Sequence, residues 1–292
     1  MPCLLIGATD DWKAMRKWNR AKFSKRFGSS RFDVGSYNHT YMTYEQYLRY
    51  CDTNTDDSPL YIFEPQYATK FPKLLKEFSI PKYFTPEDMD LQSCMDDDPR
   101  PYYRWVLMGP VRSGTGIHQD PHMTSAWNAL IQGHKRWCMF PPHIKGSIVK
   151  PKKGEPDSGI YWFHSVYPRL VDRADELGMI ECVQGPGEII FVPAGWWHVV
   201  LNLDFTISVT QNHVTDFNFE RAFNSYKRSK PKKALIWHNS LPDAYKSRVE
   251  APNPDDISSS SSSSYTYVSS SSSDDENSAS DSGSGASASD SG

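Results

Sequence analysis

In 292 residues the chain carries 32 Lys and Arg against 35 Asp and Glu, a formal charge of −3, with 38% hydrophobic and 13% aromatic residues. That apolar share is ordinary for a folded globular protein, and with no internal repeat one folded domain is the economical reading. No apolar run reaches the ~20 residues a membrane-spanning helix needs, and five cysteines (Cys3, Cys51, Cys94, Cys138, Cys182), odd in number and without a Cys-x-x-Cys pair, exclude a disulfide framework or a zinc ribbon and point to a reducing compartment.

The charge is uneven along the chain. Residues 1–250 hold all 32 basic residues against 28 acidic ones, a body charge of +4, whereas Asp255, Asp256, Asp274, Asp275, Glu276, Asp281 and Asp290 follow with no Lys or Arg among them.

Cys3 to Gly7 predicts a strand that begins almost at Met1, with no cap or element before it, so sequence upstream is expected to be missing. The start Met1-Pro2-Cys3-Leu4-Leu5-Ile6 is too short and lacks the basic flank of a signal peptide. Residues 11–53 read as short helices and a strand: Asp11 caps a segment through Met15, and Thr43 caps a helix over Tyr44–Tyr50 with helical apolar spacing. Leu60-Tyr61-Ile62-Phe63 predicts a short buried strand, and residues 68–100 a charged, Pro-punctuated surface excursion with a helix around Lys70–Phe78.

From Tyr102 to Asn212 short strands repeat between Gly and Pro breaks: Arg104–Met108, Gly116–Asp120, Ser125–Ile131, Lys135–Phe140, Ile180–Val183, Glu188–Val192, Val199–Leu203 and Phe205–Asn212. Eight such strands suit a double-stranded β-helix, the cupin-like jelly roll, within a mostly β fold with flanking helices. Gln132-Gly133 is expected to form a tight hairpin turn with positive φ. The organisation that follows is N-terminal elements packed on the barrel (1–100), the barrel (101–215), basic helices (216–250) with the cluster Lys227, Arg228, Lys230, Lys232, Lys233, and a disordered Ser-rich acidic tail (251–292) whose composition buries too little apolar surface to fold. Serines beside Asp274, Asp275 and Glu276 look like acidic-directed phosphorylation sites; a solubilising tail explains them equally well.

The motif that carries chemistry is His118-Gln119-Asp120, answered eighty residues later by Gly195-Trp196-Trp197-His198. On an extended strand i and i+2 share a face, so His118 and Asp120 converge while Gln119 turns away. With a second imidazole from a distant strand, two His and one carboxylate leave positions open, the arrangement that suits non-heme Fe(II) and oxygen chemistry. Alone, His-x-Asp is a weak signal that many chains carry by chance. Two more alternations matter: Lys135, Trp137 and Met139 share one face of their strand, and Thr206, Ser208, Thr210 and Asn212 share one face of theirs. Alternation by itself reads both polar sets as solvent-facing, whereas an inward lysine would bind a carboxylate.

The stretches Asp57–Phe63, Met108-Gly109-Pro110, Arg112–His118, Thr124–Trp137 and Pro193–Asp204 resemble the Jumonji C (JmjC) domain family, in the branch that pairs arginine demethylation with lysyl hydroxylation, over roughly residues 1–215, and the polyserine tail resembles that branch too. The resemblance implies Fe(II) held by His118, Asp120 and His198, 2-oxoglutarate as co-substrate contacted by Asn128, Lys135 and Thr210 with Tyr61 adding a hydroxyl and Thr115 nearby, O2 as oxidant, and ascorbate as an optional reductant. Trp105, Trp127 and the Trp196-Trp197 pair are implied as packing walls, with Tyr103 or Trp105 as the alternative substrate contacts. The implied reaction is hydroxylation of lysyl side chains in arginine–serine-rich splicing factors and histone tails, with N-methylarginine demethylation of histones as a second activity, nuclear or also cytoplasmic residence, and a homo-oligomer as an option. Gln119 departs from the family's usual apolar residue, but its side chain faces away from the metal. Two alternatives stay open: a JmjC oxygenase of other residue specificity, and a non-catalytic protein that binds RNA or phospholipid, with Lys227–Lys233 contacting phosphates.

Overall fold

The computed structural model describes residues 1–35, 40–84, 91–95, 101–254 and 257. The strands in chain order are β1 (Cys3–Leu5), β2 (Arg31–Asp33), β3 (Tyr41–Thr43), β4 (Ile62–Glu64), β5 (Arg104–Gly109), β6 (Gly114–His118), β7 (Ser125–Gln132), β8 (Lys135–Phe140), β9 (Ile180–Gln184), β10 (Ile189–Val192), β11 (Trp197–Asn202) and β12 (Thr206–His213). The eight strands expected between Arg104 and Asn212 are β5 to β12, and they divide between two antiparallel sheets. The larger sheet runs β1-β10-β7-β12-β5-β4, the smaller β6-β11-β8-β9, and β2 pairs with β3 apart from both. The jelly-roll fold is therefore as expected, with β1 and β4 lengthening the larger sheet at its two edges.

Inward and outward residues alternate cleanly on the central strands, as the pleat requires. On the larger sheet Trp127, Ala129, Ile131, Val106, Ile207 and Val209 point outward into a core shared with Trp12, Trp18 and Phe23 of the N-terminal helices. On the smaller sheet Cys138, Phe140, Val199 and Trp197 point outward against Val149, Trp162 and Val166. Both outer faces are thus covered, which is why the strands read as nearly continuous apolar runs. The space between the sheets is lined by Trp137, Met139, Ile190, Val192 and Val200, and it is here, not toward solvent, that Lys135, Thr206 and Ser208 point, each fully buried.

Several local expectations change. Helix Tyr44–Thr53 has the predicted Thr43 cap, completed by Gln46: Gln46 N donates to Thr43 Oγ1 at 3.2 Å and Thr43 N to Gln46 Oε1 at 2.9 Å. Asp11 caps nothing; helix Lys13–Lys17 starts at Trp12 with no side-chain cap, whereas Asn19 caps helix Arg20–Phe27 by accepting from Lys22 N. The helix expected over Lys70–Phe78 is broken in two, because Phe71 precedes Pro72 and is pushed to φ −132°, ψ 60°, leaving a short helix Tyr67–Lys70 and a tight turn Leu74–Lys76. The Gln132-Gly133 hairpin is also corrected: β7 and β8 lie in different sheets, so this turn carries the chain across the barrel. Its glycine is at φ +84°, and a Cβ there would sit 2.4 Å from Asp204 Oδ1 and 2.5 Å from Phe205 O.

The C-terminal element is three helices, Phe219–Ser229, Pro231–Ser240 and Asp243–Lys246. Pro231, which cannot continue the first helix, opens the second at its first turn. Phe219, Phe223, Tyr226 and Trp237 form their shared core. Among the described residues no helix is long and apolar enough to cross a membrane. Most of the Ser-rich tail expected at 251–292, with its serines near Asp274, and parts of the excursion at 68–100 lie outside the described residues.

Candidate metal centre

His118 ends β6 and faces His198 of β11 across the ladder. Asp120 follows two residues on, and one ligand atom from each of His118, Asp120 and His198 falls within 4.8 Å of the others. His198 Nε2 lies 4.0 Å from Asp120 Oδ1. Each imidazole is oriented by its own strand: His118 Nδ1 is 2.8 Å from Gly116 O and His198 Nδ1 is 3.1 Å from Trp196 O. A carbonyl only accepts, so both Nδ1 atoms carry the proton and both Nε2 lone pairs are left for a metal. Burial, reinforced by the neighbouring His198 ring and opposed by Asp120, holds His118 well below its ordinary pKa, which keeps it neutral. Asp120 Oδ2 is buried with no hydrogen-bond partner among the described residues. A buried carboxylate oxygen left that way is costly unless a cation meets it, so two nitrogens and one oxygen fit a divalent metal of the iron kind. Gln119 turns away as expected and donates from Nε2 to Gly195 O at 2.6 Å.

Strand pairing places Thr115 in the same cleft by a route alternation does not give. Opposite His198 and Val200 of β11 stand His118 and Thr115 of β6, so β6 has one residue more than its partner over this span. The extra residue is a β-bulge at Gly116-Ile117. Gly116 is needed there because Asp157 Oδ1 lies 2.3 Å from where a Cβ would stand.

The cleft between the sheets, ≈ 550 Å³ counted to its open mouth, is lined by the three candidate ligands and also by Tyr61, Thr115, Asn128, Lys135 and Thr210. All eight residues singled out from sequence thus meet in one place. At its deep end Lys135 opens β8 opposite Asn202 of β11. Lys135 Nζ donates to Tyr61 Oη and to Asn202 Oδ1, both at 2.8 Å. Asn202 Nδ2 donates to Ser113 Oγ at 2.8 Å, and Ser113 Oγ donates to Pro110 O at 2.6 Å. Burial brings the Lys135 pKa down to about 7, with Asp204 pulling it partly back. Tyr61 Oη accepts from Lys135 and keeps a phenolic proton of its own, with Asn202 and Ser208 beside it. Thr210 is different: Oγ1 donates to Trp127 O at 2.8 Å, so it presents lone pairs rather than a proton to the cleft. Asn128 Oδ1 is buried without a partner among the described residues.

Of the tryptophans, Trp105 lines the cleft and Trp127 and Trp197 pack outward in the two outer cores. Trp137 lies beside His198, ring centroids 6.1 Å apart and planes 25° from parallel. Sequence reasoning missed Asn202 and Ser113, which fix the lysine, and the turn after Asp120, where His122 and Met123 are both left-handed at φ 54° and 55°. Each such non-glycine residue costs on the order of 1–3 kcal/mol. No composition or spacing signal marks them; only the pairing of β8 with β11 and the docking of the C-terminal helices bring their partners near.

Residues 105–213 match the family described as "JmjC domain, hydroxylase". The chain is 44% identical over 255 residues to the bifunctional arginine demethylase and lysyl-hydroxylase psr-1 of Caenorhabditis briggsae, covering 84% of this chain and 64% of that protein. It is 38% identical over 264 residues to the arginine-specific demethylase JMJ22 of Arabidopsis thaliana, covering 88% and 51%. To the 2-oxoglutarate and iron-dependent oxygenase JMJD4 of Homo sapiens it is 27% identical over 275 residues, covering 83% and 64%. The chain therefore spans less than two thirds of the length of these relatives.

Proposed function

The chain belongs to the JmjC domain family through residues 105–213, and from that premise we propose that it is an Fe(II)- and 2-oxoglutarate-dependent dioxygenase that hydroxylates lysyl side chains of proteins, with removal of N-methyl groups from histone arginines as a second activity. The observation that carries the proposal is the buried His118, Asp120, His198 set, with ligand atoms within 4.8 Å and an Asp120 oxygen that nothing in the described chain satisfies. Iron with 2-oxoglutarate and O2, when bound, supplies the oxidising power for both reactions, each of which attacks a C–H bond near a nitrogen.

The chain's own residues bind, orient and exclude water. His118, Asp120 and His198 would hold the metal. Lys135 offers its ammonium to the distal carboxylate of the co-substrate, and the Tyr61 hydroxyl donates beside it in a buried setting where such bonds are strong. Asn128 and Thr210 flank the co-substrate, Thr115 closes the same wall, and Leu107, Val192 and Val200 keep that part of the cleft dry. No side chain acts as an acid or base. Basic substrates of the arginine–serine-rich class, RNA contact through Lys227–Lys233 and nuclear residence belong to this proposal as well; the arginine demethylase and lysyl-hydroxylase activity for which the psr-1 relative is named supports the protein substrate.

The test is anaerobic loading of the purified chain with Fe(II) and 2-oxoglutarate, then O2 in the presence of a lysine-containing arginine–serine peptide, reading succinate and peptide mass. One oxygen gained on lysine, lost in His198→Ala, is the expected result. Succinate without an oxidised lysine assigns another target residue, and no iron binding overturns the proposal.

A further inference from the structure

Asp120 leads directly into Pro121-His122-Met123, the turn whose second and third residues are left-handed. L side chains hold that conformation only where neighbours over-determine it. The neighbours come from the C-terminal element. The His122 ring stands edge-on to Tyr226, centroids 4.9 Å apart and planes at 84°. His122 Nδ1 lies 3.3 Å from Ser229 Oγ, and Asn218 Nδ2 donates to Met123 O at 2.9 Å. Asn218 is fixed in turn, because its Oδ1 accepts from Thr215 N at 2.7 Å and from Thr215 Oγ1 at 3.0 Å. Tyr226 is fully buried beside Trp237 in the helical core.

We propose that Asn218, Tyr226 and Ser229 are positioning residues for the metal centre: the C-terminal helices hold the left-handed turn, and the turn holds the Asp120 carboxylate in reach of His118 and His198. This rests on the metal reading of the site given above. The backbone angles of His122 and Met123 set the direction in which the chain leaves Asp120, and relaxing either to its ordinary region swings the carboxylate. A ligand set tolerates little of that, since displacements of about 1 Å are enough to weaken a preorganised site. The helices that look appended to the barrel are on this account part of its catalytic architecture.

The experiment is a Co(II) titration of the full chain followed by visible absorption, with thermal melting alongside and no turnover required. His122→Ala removes the ring contacts but keeps a Cβ and therefore the strain; its Co(II) affinity is expected to fall about tenfold, the scale of a lost outer-shell partner, with a changed absorption band. His122→Gly removes the same contacts but is at ease in left-handed backbone, so affinity and band are expected to return to within about threefold of the parent. A role in packing alone predicts that glycine does no better than alanine, and that result overturns the proposal. Asn218→Asp is the second variant: it keeps the oxygen that Thr215 needs and removes the donor to Met123 O. It is expected to bind Co(II) several-fold more weakly with an unchanged melting temperature, and parent-like affinity overturns the proposal even if His122→Ala does not fold. A parent chain that takes up no Co(II) overturns the metal reading itself, before any variant is compared.

Discussion

The two ends of the cleft are built on opposite terms. At the deep end one chain of hydrogen bonds joins Lys135 to Tyr61 and, through Asn202 and Ser113, to Pro110 O. At the mouth Asp120 Oδ2 is buried with none among the described residues, and two imidazoles turn their unprotonated nitrogens toward it. The deep end anchors Lys135 by hydrogen bonds made within the chain itself. The mouth is an unfinished shell whose energetic deficit only a cation removes. Selectivity for the co-substrate thus resides in a rigid part, and metal dependence in a strained one.

The largest test of this contrast is Asp120→Asn. It should abolish metal binding and succinate formation while raising the unfolding free energy of the metal-free chain by about 1–3 kcal/mol, because a buried carboxylate oxygen without a hydrogen-bond partner among the described residues is exchanged for an amide that can donate; calorimetry of the two chains without metal checks it. A less stable variant would mean that the mouth is satisfied after all. Next, Lys135→Met should raise the 2-oxoglutarate concentration for half-maximal turnover by on the order of a hundredfold, the loss expected for one partner of a buried ion pair, with Co(II) affinity in the absence of co-substrate unchanged. If metal binding collapses as well, the two ends are not separable.

A smaller effect follows from pH. Lys135 titrates near 7 in the folded chain against an ordinary 10.5, so between those values the unfolded chain holds a proton that the folded one has shed. Stability of the ligand-free chain should therefore rise with pH across that window, and the slope should flatten in Lys135→Met. Over the same window 2-oxoglutarate affinity should fall, since the carboxylate needs the ammonium, and isothermal titration at several pH values reads it. The smallest change serves as a control at neither end: Thr43→Ala removes the cap of helix Tyr44–Thr53 and should cost about 1 kcal/mol of stability, with metal and co-substrate affinities unchanged.

The strands of the barrel were legible because both periodicity and turn residues mark them, whereas His-x-Asp alone is a weak signal and the metal set was legible through the resemblance of the segments around His118 and His198 to the JmjC family. What alternation does not tell is which side of a strand is inside. Thr206, Ser208 and Lys135 look like solvent-facing residues until helices are seen to cover the outer face of each sheet. The turn at Gly133 was legible as a positive-φ glycine but not as a crossing, because sheet membership is set by which strands pair and not by the turn itself. Asn202 was illegible for the same reason: it matters only because it stands opposite Lys135 in the ladder. Pro72 shows the reverse failure, where a local rule about the residue before proline breaks the helix expected around Lys70–Phe78.

The bulge at Gly116 has a consequence for how length changes act on this chain. A strand keeps a two-beat count, and one added residue shifts its phase, so that Thr115 and His118, an odd and an even position, look into the same space. Deleting Gly116 would remove the bulge and leave Thr115 two positions before His118, so both would still face the cleft on a regular strand paired with β11. The smallest possible change in length would here cost the strand its bend and neither of its cleft-facing side chains.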